Sequence, residues 1–445
     1  MPSSVVLLII TGTFLALGYL GVPVAFALIA GSLLGTLLTQ VTLQSIIGQL
    51  FNGIDNEALA AIPFFLLVGE LMTSANLVQR IAALSQALVG HVRGGLAQVT
   101  TVFAIFFSGI SGSTSADVAV LSRTMSGPMA DEGYKPEFTA ALIAAASTIA
   151  ALVPPSIMAV VYGAIGNVSI AGLFLGGIVP GLMIGIGLMI YCYFFGPRGF
   201  VRPRATFRTL RRAGGAAALP MLIPAILLGG IVSGAFTPTE AGVVAIVYIL
   251  LVVMPVHNAR HLRQVPRDFV QAGLIYALPM ITIAGASAFG WLLAYLRGPI
   301  VVAGWITGLG GTDPVRIMFL LVLVFTIVGD FIEPVPAIII FMPVVNALSD
   351  GANINGVHMG VVLIVTLAFG LITPPYGLAL LMASKFVGTR FSSALRASLP
   401  IYLVFFVTIA ATIFFPSVVL FLPKLLFPES VGCFRAPGGT GYICP

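Results

Sequence analysis

Two short stretches decide how this chain folds: Ser147-Thr148-Ile149-Ala150-Ala151-Leu152-Val153-Pro154-Pro155-Ser156 and Gly370-Leu371-Ile372-Thr373-Pro374-Pro375-Tyr376-Gly377. Each places a proline pair inside a strongly apolar segment. Proline has no backbone N–H and clashes with the preceding turn, so each pair frees several carbonyls that lipid cannot satisfy. The pattern predicts two membrane helices broken at a polar site. For either stretch alone, a kinked bundle helix is the alternative, because membrane helices tolerate proline.

The composition predicts a polytopic integral membrane protein. Of the 445 residues, 59% are hydrophobic and only 8% are charged. No soluble core hides that much apolar surface. Since a spanning helix needs roughly 20 apolar residues, the length allows about ten to thirteen membrane-embedded helices or half-helices. The first apolar stretch, residues 5–38 with a break at 21–23, predicts two helices and is too long for a signal peptide.

The positive charge is concentrated in two segments. The net charge is +6, and arginines are dense at 198–212 and again at 257–267. The positive-inside rule predicts that both segments are cytoplasmic loops, with two apolar spans at about 218–235 and 240–255 returning the chain to the same side. The charge therefore implies no nucleic-acid partner.

An internal repeat relates the two halves of the chain. Pro154 and Pro374 lie 220 residues apart (374 − 154), and the same shift places Ser108-Gly109 on Val328-Gly329. An odd number of spans in each half would invert the second copy. Inverted repeats with discontinuous helices at their interface recur in secondary transporters. We therefore expect an all-α, inverted-repeat transporter, although spacing alone does not establish the inversion.

Each half carries a second polar interruption before its proline pair, at 108–117 and at 329–334. Apolar arms of about a dozen residues flank each interruption, which is too short to span a bilayer. This predicts two re-entrant hairpins whose tips line a cavity or are buried in protein. The predicted arms are residues 95–107, 118–130, 315–328 and 335–348.

The four interruptions have the chemistry of a sodium site. Hard cations prefer oxygen ligands, and turns rich in Gly, Ser, Thr and Pro supply carbonyls and hydroxyls. Pairing each hairpin tip with one proline break predicts two sets of sodium ligands. The first set is Ser108, Ser111, Gly112, Ser147 and Thr148, and the second is Thr326, Gly329, Gly370 and Thr373. Helix packing is the alternative for any single residue, because Gly and Ser are favoured wherever membrane helices approach closely.

Charged residues inside apolar segments are costly and usually face a cavity or a partner. The candidates are Glu70, Asp117, Arg123, Glu240, Asp330, Glu333 and Lys385. Arg123 or Lys385 would meet a substrate carboxylate, although pairing with an acid or snorkelling to the interface is the alternative for each. Glu240 is interpreted as structural, at a helix start. The predicted substrate-binding residues are Ser113, Thr114, Asp117, Arg123, Pro155, Ser156, Glu333, Pro375 and Lys385.

Other chemistry has little support in the sequence. The chain has no GxxxxGK[ST] phosphate loop, which argues against direct use of ATP. His257 and His261 form an i, i+4 pair, but no acid completes a ligand set, so no metal other than sodium is predicted. Ser113 and Ser115 have no histidine base nearby. We predict neither an enzyme nor a cofactor.

Several motifs together resemble the large membrane subunit of tripartite ATP-independent periplasmic (TRAP) transporters. They are Ala61-Ile62-Pro63-Phe64-Phe65-Leu66-Leu67-Val68-Gly69-Glu70-Leu71-Met72, the serine-rich tip, 147–156, Phe236-Thr237-Pro238-Thr239-Glu240-Ala241-Gly242 and 371–375. The resemblance covers residues 5 to 415. It implies sodium-driven uptake of an organic acid, often a dicarboxylate or sugar acid, delivered by a periplasmic binding protein at the bacterial inner membrane. It also implies a separate small four-helix membrane subunit.

The resemblance further implies an elevator mechanism, in which a transport domain slides against a scaffold. Two amphipathic stretches, 42–52 and 76–92, would lie along the membrane surface, and ordinary loop helices are the alternative. The expected organisation is scaffold helices and an amphipathic arm at 1–93, the first half of the transport domain at 94–168, scaffold helices with basic loops at 169–312, the second half of the transport domain at 313–388, a C-terminal helix at 389–431 and a tail at 432–445.

Three features depart from the family pattern and leave the substrate open. Glu333-Pro334-Val335 stands where family members commonly carry Asp, Pro and a small hydroxyl residue; Lys385 follows the second break; and the tail has no counterpart. Cys433 and Cys444 in that tail would pair only in an oxidising compartment. Two alternatives remain: a self-sufficient sodium/anion symporter of a related elevator fold, and a channel or scaffold subunit.

Overall fold

The computed structural model of the protein describes residues 2–197, 203–432, 434–435 and 442–443. Most of these residues are helical, which confirms the all-α prediction. Two two-residue strands, β1 (Phe434–Arg435) and β2 (Tyr442–Ile443), pair antiparallel near the C-terminus. Four residues used in the sequence predictions lie outside the described residues: Arg198, Arg202, Cys433 and Cys444.

The first half of the chain forms helices separated by short turns. They are α1 (Ser3–Tyr19), α2 (Val24–Leu38), α3 (Leu43–Asn52), α4 (Ala61–Ser74), α5 (Val78–Val89), α6 (Gly95–Ser111), α7 (Thr114–Asp131), α8 (Pro136–Ser147) with a 3₁₀ turn at Thr148–Ala151, α9 (Ile157–Gly166) and α10 (Ile170–Phe195). The break between α1 and α2 falls where it was predicted, since Gly21 adopts a φ of +84° and Pro23 precedes α2. Both amphipathic stretches are confirmed as helices, α3 and α5.

The second half continues in the same way. Its helices are α11 (Phe207–Val232), α12 (Pro238–Tyr248) with a π turn at Ile249–Val253, α13 (Met254–Asn258) with a 3₁₀ turn at Ala259–Arg263, α14 (Val265–Tyr295), α15 (Gly298–Gly310), α16 (Pro314–Phe331), α17 (Pro334–Gly351), α18 (Gly356–Gly370), α19 (Leu378–Val387), α20 (Phe391–Phe414) and α21 (Pro416–Leu426), followed by a 3₁₀ turn at Pro428–Val431.

The helix lengths fit a membrane protein that crosses the bilayer several times. Seven helical spans in the described residues are long and apolar enough to cross a membrane, or eight if α4 and α5 count as one span bent by 75°. Nine further apolar segments have 10 to 17 residues. A helix of 17 residues is about 26 Å long, just short of the hydrocarbon core. The chain is therefore a polytopic membrane protein with many short helices.

Both proline pairs break their helices as predicted. The first pair lies between α8 and α9, and the second pair lies between α18 and α19. Helix starts recur at nearly the predicted spacing, because α16, α17 and α18 begin 219, 220 and 220 residues after α6, α7 and α8. The inverted relation of the two halves stays a prediction.

The helices beside each predicted hairpin tip are longer than predicted. Only Gly112-Ser113 separates α6 from α7, and only Ile332-Glu333 separates α16 from α17. The prediction of dozen-residue arms was wrong because Ser, Thr and Asp do not unwind a helix when their side chains find hydrogen-bond partners nearby. Because the arms of the first hairpin have 17 and 18 residues, arm length does not support a re-entrant path. The tight turn between the two arms is what supports that prediction.

The two basic segments are also more helical than predicted. Thr206 accepts a hydrogen bond from the Thr209 N–H and starts α11, so that the arginines at 208, 211 and 212 lie on a helix. Residues 257–267 are a tight helical connection rather than an open loop. The first apolar span begins and ends earlier than the predicted 218–235, since α11 covers Phe207–Val232. The second span, Pro238–Arg263, extends beyond the predicted 240–255 at both ends.

The two halves interlock around the breaks. The second hairpin arm α7 packs on α19, and its counterpart α17 packs on α9. In the same crossed manner α8 packs on α20 and α10 packs on α18. Each broken helix therefore contacts helices from the other half of the chain, which brings all four polar interruptions into one helical assembly.

Candidate functional site

The first hairpin tip is a two-residue turn. Gly112 ends α6 with a φ of +61°, a conformation that costs a residue with a Cβ about 1–2 kcal/mol. Ser113 then starts α7, and its Oγ accepts a hydrogen bond from the Ala116 N–H at 3.4 Å. The sequence Gly-Ser therefore both stops one helix and caps the next.

A buried carboxylate lies directly beside this tip. Asp117 is fully buried in the first turn of α7. It accepts a hydrogen bond from Ser108 Oγ at 2.8 Å and a second one from Ser111 Oγ, both on α6. In the described residues no Lys or Arg forms an ion pair with Asp117. A buried carboxylate is tolerated only where hydrogen bonds or a cation compensate for lost water.

The first tip rests on the first proline break. The Ile157 N–H at the start of α9 donates to the Gly112 carbonyl at 3.2 Å. A Cβ on Gly112 would lie only 2.6 Å from the Pro155 carbonyl oxygen. This contact places the N-termini of α7 and α9 side by side, so that their unpaired N–H groups favour an anion between them.

Two hydroxyls at these helix starts differ in how they are used. Ser156 caps α9 by accepting from the Ala159 N–H at 3.2 Å. Thr114 is buried, and its Oγ1 has no hydrogen-bond partner among the described residues. A buried hydroxyl without a partner at the start of a helix is available to a ligand.

The second half builds its acid site differently. Asp330, near the end of α16, is half-buried and accepts a hydrogen bond from Thr373 Oγ1 at 2.5 Å. Thr373 belongs to the second proline break, so this bond joins the hairpin to the broken helix. Gly329 and Gly370 lie in direct backbone contact there, and a Cβ on Gly370 would meet the Gly329 carbonyl carbon at 2.9 Å.

The second break is more open than the first. Pro374, Pro375 and Tyr376 are exposed, whereas Pro154 and Pro155 are buried. Each pair contains a cis peptide bond. Glu333, at the tip of the second hairpin, is exposed and its side chain does not cap α17. The second tip and the second break therefore each expose residues whose counterparts in the first half are buried or half-buried.

The structure brings together some of the predicted sodium ligands. Ser108, Ser111 and Gly112 lie at the first tip, while Gly329, Gly370 and Thr373 meet in the second half. The hydroxyls of the other three predicted ligands bond to carbonyls in their own helical segments. These pairs are Ser147 to Ile143, Thr148 to Ala145 and Thr326 to Val322, at 2.7 to 2.8 Å.

The predicted substrate residues divide in the same way. Ser113, Thr114, Asp117, Pro155 and Ser156 are neighbours at the first tip and break, whereas Glu333 and Pro375 mark the second tip and break. The two predicted cations, at positions 123 and 385, are exposed on α7 and α19, well along each helix from the tips. No contact in the described residues ties either cation to a tip.

Sequence reasoning did not anticipate the hydrogen bonds of two acids. It assigned Asp117 to substrate and left Asp330 out of the site, yet both accept hydrogen bonds from hydroxyls that were predicted to bind sodium. The available signal was the pattern itself, an aspartate within a Ser- or Gly-rich interruption in each half. The pairing partners lie up to 43 residues away in sequence, so spacing alone did not reveal them.

A second buried polar cluster lies away from the tips. His261 Nε2 bonds to Asp268 Oδ2 at 2.8 Å and to Ser74 Oγ at 3.2 Å. Asp268 therefore pairs with one member of the His257 and His261 pair, from seven residues further along the chain. No group of three His, Cys, Asp or Glu side chains able to hold a metal occurs in the described residues.

The sequence matches a known family over most of its length. The family model described as "Tripartite ATP-independent periplasmic transporter, DctM component" matches residues 11–418. The sialic acid TRAP transporter large permease protein SiaM of Vibrio cholerae is 36% identical over 93% of this chain and 97% of its own. The C4-dicarboxylate TRAP transporter large permease protein DctM of Pseudomonas aeruginosa is 34% identical over 89% and 93%. The ectoine/5-hydroxyectoine large permease protein UehC of Ruegeria pomeroyi is 33% identical over 94% and 98%.

The helical arrangement is similar to that of a solved transporter structure. The YdaH transporter of Alcanivorax borkumensis superimposes with a TM-score of 0.59, over 83% of this chain and 86% of that one. Its sequence is only 15% identical, so the likeness concerns the arrangement of helices alone.

Proposed function

Because the chain belongs to the family of DctM components of tripartite ATP-independent periplasmic transporters, we propose that it is the sodium-coupled translocating subunit of such a system. The family places the chain in the inner membrane, as part of a transporter and not as an enzyme. Its relatives support a role in secondary uptake of organic acids. Sodium coupling and the substrate are our proposal.

One observation carries the sodium proposal: each half pairs an aspartate with hydroxyl groups beside a helix interruption. Asp117 has the Ser108 and Ser111 hydroxyls, and Asp330 has the Thr373 hydroxyl. Carboxylate and hydroxyl oxygens suit a hard monovalent cation, and nearby unwound turns add carbonyl oxygens. We propose that a sodium ion enters each of these pairs by displacing a hydroxyl hydrogen bond.

The substrate would bind between the tips and the breaks. The starts of α7 and α9 meet at the hydrogen bond from Ile157 to Gly112, and both present N–H groups. A carboxylate there would complement the positive ends of two helices and accept a hydrogen bond from the Thr114 hydroxyl, which has no partner among the described residues. The exposed second break, around Pro375, would form the opposite wall. This arrangement favours a small organic acid.

The crossed packing supports an elevator mechanism in which hairpins and broken helices move together. The contacts of α7 with α19 and of α9 with α17 join both halves into one body, which would slide against a scaffold that includes α2, α4, α12 and α14. Family members act with a small permease and a periplasmic binding protein. We propose both as separate partners of this chain.

The test is uptake into proteoliposomes that contain the chain and its small subunit under an inward sodium gradient. Organic acids would be supplied with and without the cognate binding protein. We expect uptake to need both sodium and the binding protein, and to fall with Ser108→Ala or Thr373→Ala. Thr307→Ala is the matched control, because that hydroxyl is exposed on α15 and bonds only within its own helix.

Three results would contradict the proposal. Uptake that persists without the binding protein would identify a self-sufficient symporter. Flux that does not saturate with substrate would identify a channel. If Thr307→Ala lowers uptake as much as the two tip variants, the hydroxyls act through stability rather than through sodium.

A further inference from the structure

A basic groove lies between the start of α8 and the start of α20, away from the tips and breaks. Its volume is about 410 Å³. The groove is lined by Lys135, Glu137, Phe138, Ser393, Arg396 and Ala397. The uptake mechanism proposed above uses none of these residues.

The charge of the groove is unbalanced. Lys135 and Arg396 are exposed, and in the described part of the chain neither one forms an ion pair with a carboxylate. The one acid, Glu137, is half-buried in the first turn of α8, where it favours the positive end of that helix. With Ser393 as an additional donor, the groove suits a phosphate group.

The aromatic residues beside the groove favour a position at the level of a membrane surface. The Phe138 ring of the groove stacks on Tyr191 at 5.6 Å, and Tyr191 stacks on Phe195 at 5.0 Å. Tyrosine and tryptophan are enriched at the headgroup level of membrane proteins, which favours that level for Tyr191. Phe195 ends α10, which leads into the basic segment 198–212, so the positive-inside rule assigns the groove to the cytoplasmic surface.

An apolar stripe continues from the groove along α20. Leu399, Leu403 and Phe406 follow Arg396 at spacings of three, four and three residues, which places all four on one helix face. The three apolar side chains are 56%, 66% and 55% exposed. A phospholipid would fit this arrangement, because its headgroup would contact the cation and its acyl chain would pack along the exposed apolar stripe.

We propose that this groove binds an anionic phospholipid. The phosphate would lie between Lys135 and Arg396, and an acyl chain would follow Leu399 and Leu403 toward the membrane interior. Basic pockets between membrane helices bind such headgroups because surface cations attract anionic lipid. The proposal stands apart from sodium coupling, since lipid binding needs no transport.

The experiment is native mass spectrometry of the full chain in detergent, titrated with phosphatidylglycerol or with phosphatidylcholine. We expect the first phosphatidylglycerol to bind more tightly than phosphatidylcholine. The double variant Lys135→Gln/Arg396→Gln should weaken that binding roughly tenfold and leave phosphatidylcholine unchanged. The matched control is Arg263→Gln/Arg267→Gln, which removes two exposed cations from the other basic segment.

Further variants separate lipid binding from other causes. Leu399→Gln should also weaken binding, because a lipid uses the stripe and a free phosphate does not. The charge-preserving Lys135→Arg/Arg396→Lys should keep the tight site and so controls for folding. Equal loss in the control variant, an unchanged double variant, or unchanged binding by Leu399→Gln would each overturn the proposal.

Discussion

Both halves of the molecule pair an aspartate with hydroxyl donors, but the two pairs lie on different helices of the repeat. In the first half the acid, Asp117, lies on the second hairpin arm and its hydroxyl donors lie on the first. In the second half the acid, Asp330, lies on the first arm and its donor, Thr373, lies on the broken helix. A movement of the first hairpin as a unit would therefore leave the first pair intact. A movement of the second hairpin relative to the second broken helix would separate the second pair.

The largest expected effect is from Asp117→Ala. Removing the carboxylate leaves two buried hydroxyls without their acceptor, which should cost about 3 kcal/mol of unfolding free energy and abolish uptake. Asp330→Ala should cost about 1 kcal/mol, because Asp330 is half-buried. Denaturant titration in mixed micelles measures both.

Asp350→Ala is the control for this pair, since Asp350 is exposed at the end of α17. The unfolding free energy of this variant should stay within about 0.5 kcal/mol of the wild-type value. Equal losses of unfolding free energy from Asp117→Ala and Asp330→Ala would contradict the distinction between the buried first site and the half-buried second site.

The next effect is from Gly112→Ala. The φ of +61° and the 2.6 Å approach to the Pro155 carbonyl should together cost about 2–3 kcal/mol and separate the first tip from its break. The equivalent position in the second half is Ile332, whose φ of −124° needs no glycine. Thermal unfolding followed by fluorescence measures the loss.

Gly127→Ala on α7 is the matched control, because a Cβ there meets nothing within 4 Å. That variant should keep the wild-type melting temperature. If Gly112→Ala is equally silent, the first tip is not held against the break.

A similar loss, confined to the other half, is expected for Gly370→Ala. A Cβ would push α18 from α16, since it meets the Gly329 backbone at 2.9 Å, and overpacking of this kind costs about 1–3 kcal/mol. The first half already has an alanine, Ala150, at the equivalent position. Sodium-dependent uptake and melting temperature should both fall.

Gly351→Ala at the end of α17 provides the comparison, because nothing lies within 4 Å of its Cβ. A tolerated Gly370→Ala would mean that hairpin and broken helix need not touch in the second half.

A smaller effect should follow Thr373→Ala. Loss of the hydroxyl oxygen that would bind sodium beside Asp330 should raise the sodium concentration for half-maximal uptake about tenfold, which corresponds to about 1.4 kcal/mol of binding free energy. Thr373→Ser keeps the donor and should behave like the wild type. A sodium dependence that is identical in all three proteins would remove Thr373 from the ion site.

The smallest effect on stability is expected for Glu333→Gln. Glu333 is exposed and caps no helix, so the unfolding free energy should change by less than about 0.5 kcal/mol. Uptake of dicarboxylates should nevertheless improve about threefold relative to monocarboxylates, because a like charge at the tip is removed. Competition uptake with paired mono- and dicarboxylates measures the ratio. No change would place the substrate away from the second tip.

The sequence by itself determined the class, the helix breaks and the spacing of the halves. Hydrophobic content excludes a soluble fold, and two adjacent prolines free more carbonyls than one does, so the pairs at 154–155 and 374–375 favour interruptions. These are local and compositional effects, which a sequence displays directly.

Only the tertiary structure decided how the polar groups pair. Helix lengths at the tips were underestimated because Ser108 and Ser111 satisfy Asp117 instead of unwinding α6. The bond from Thr373 to Asp330 joins residues 43 positions apart, and the crossed contacts of α7 with α19 join the two halves. Such pairs depend on which helix faces meet in three dimensions, and no periodicity along the chain encodes that choice.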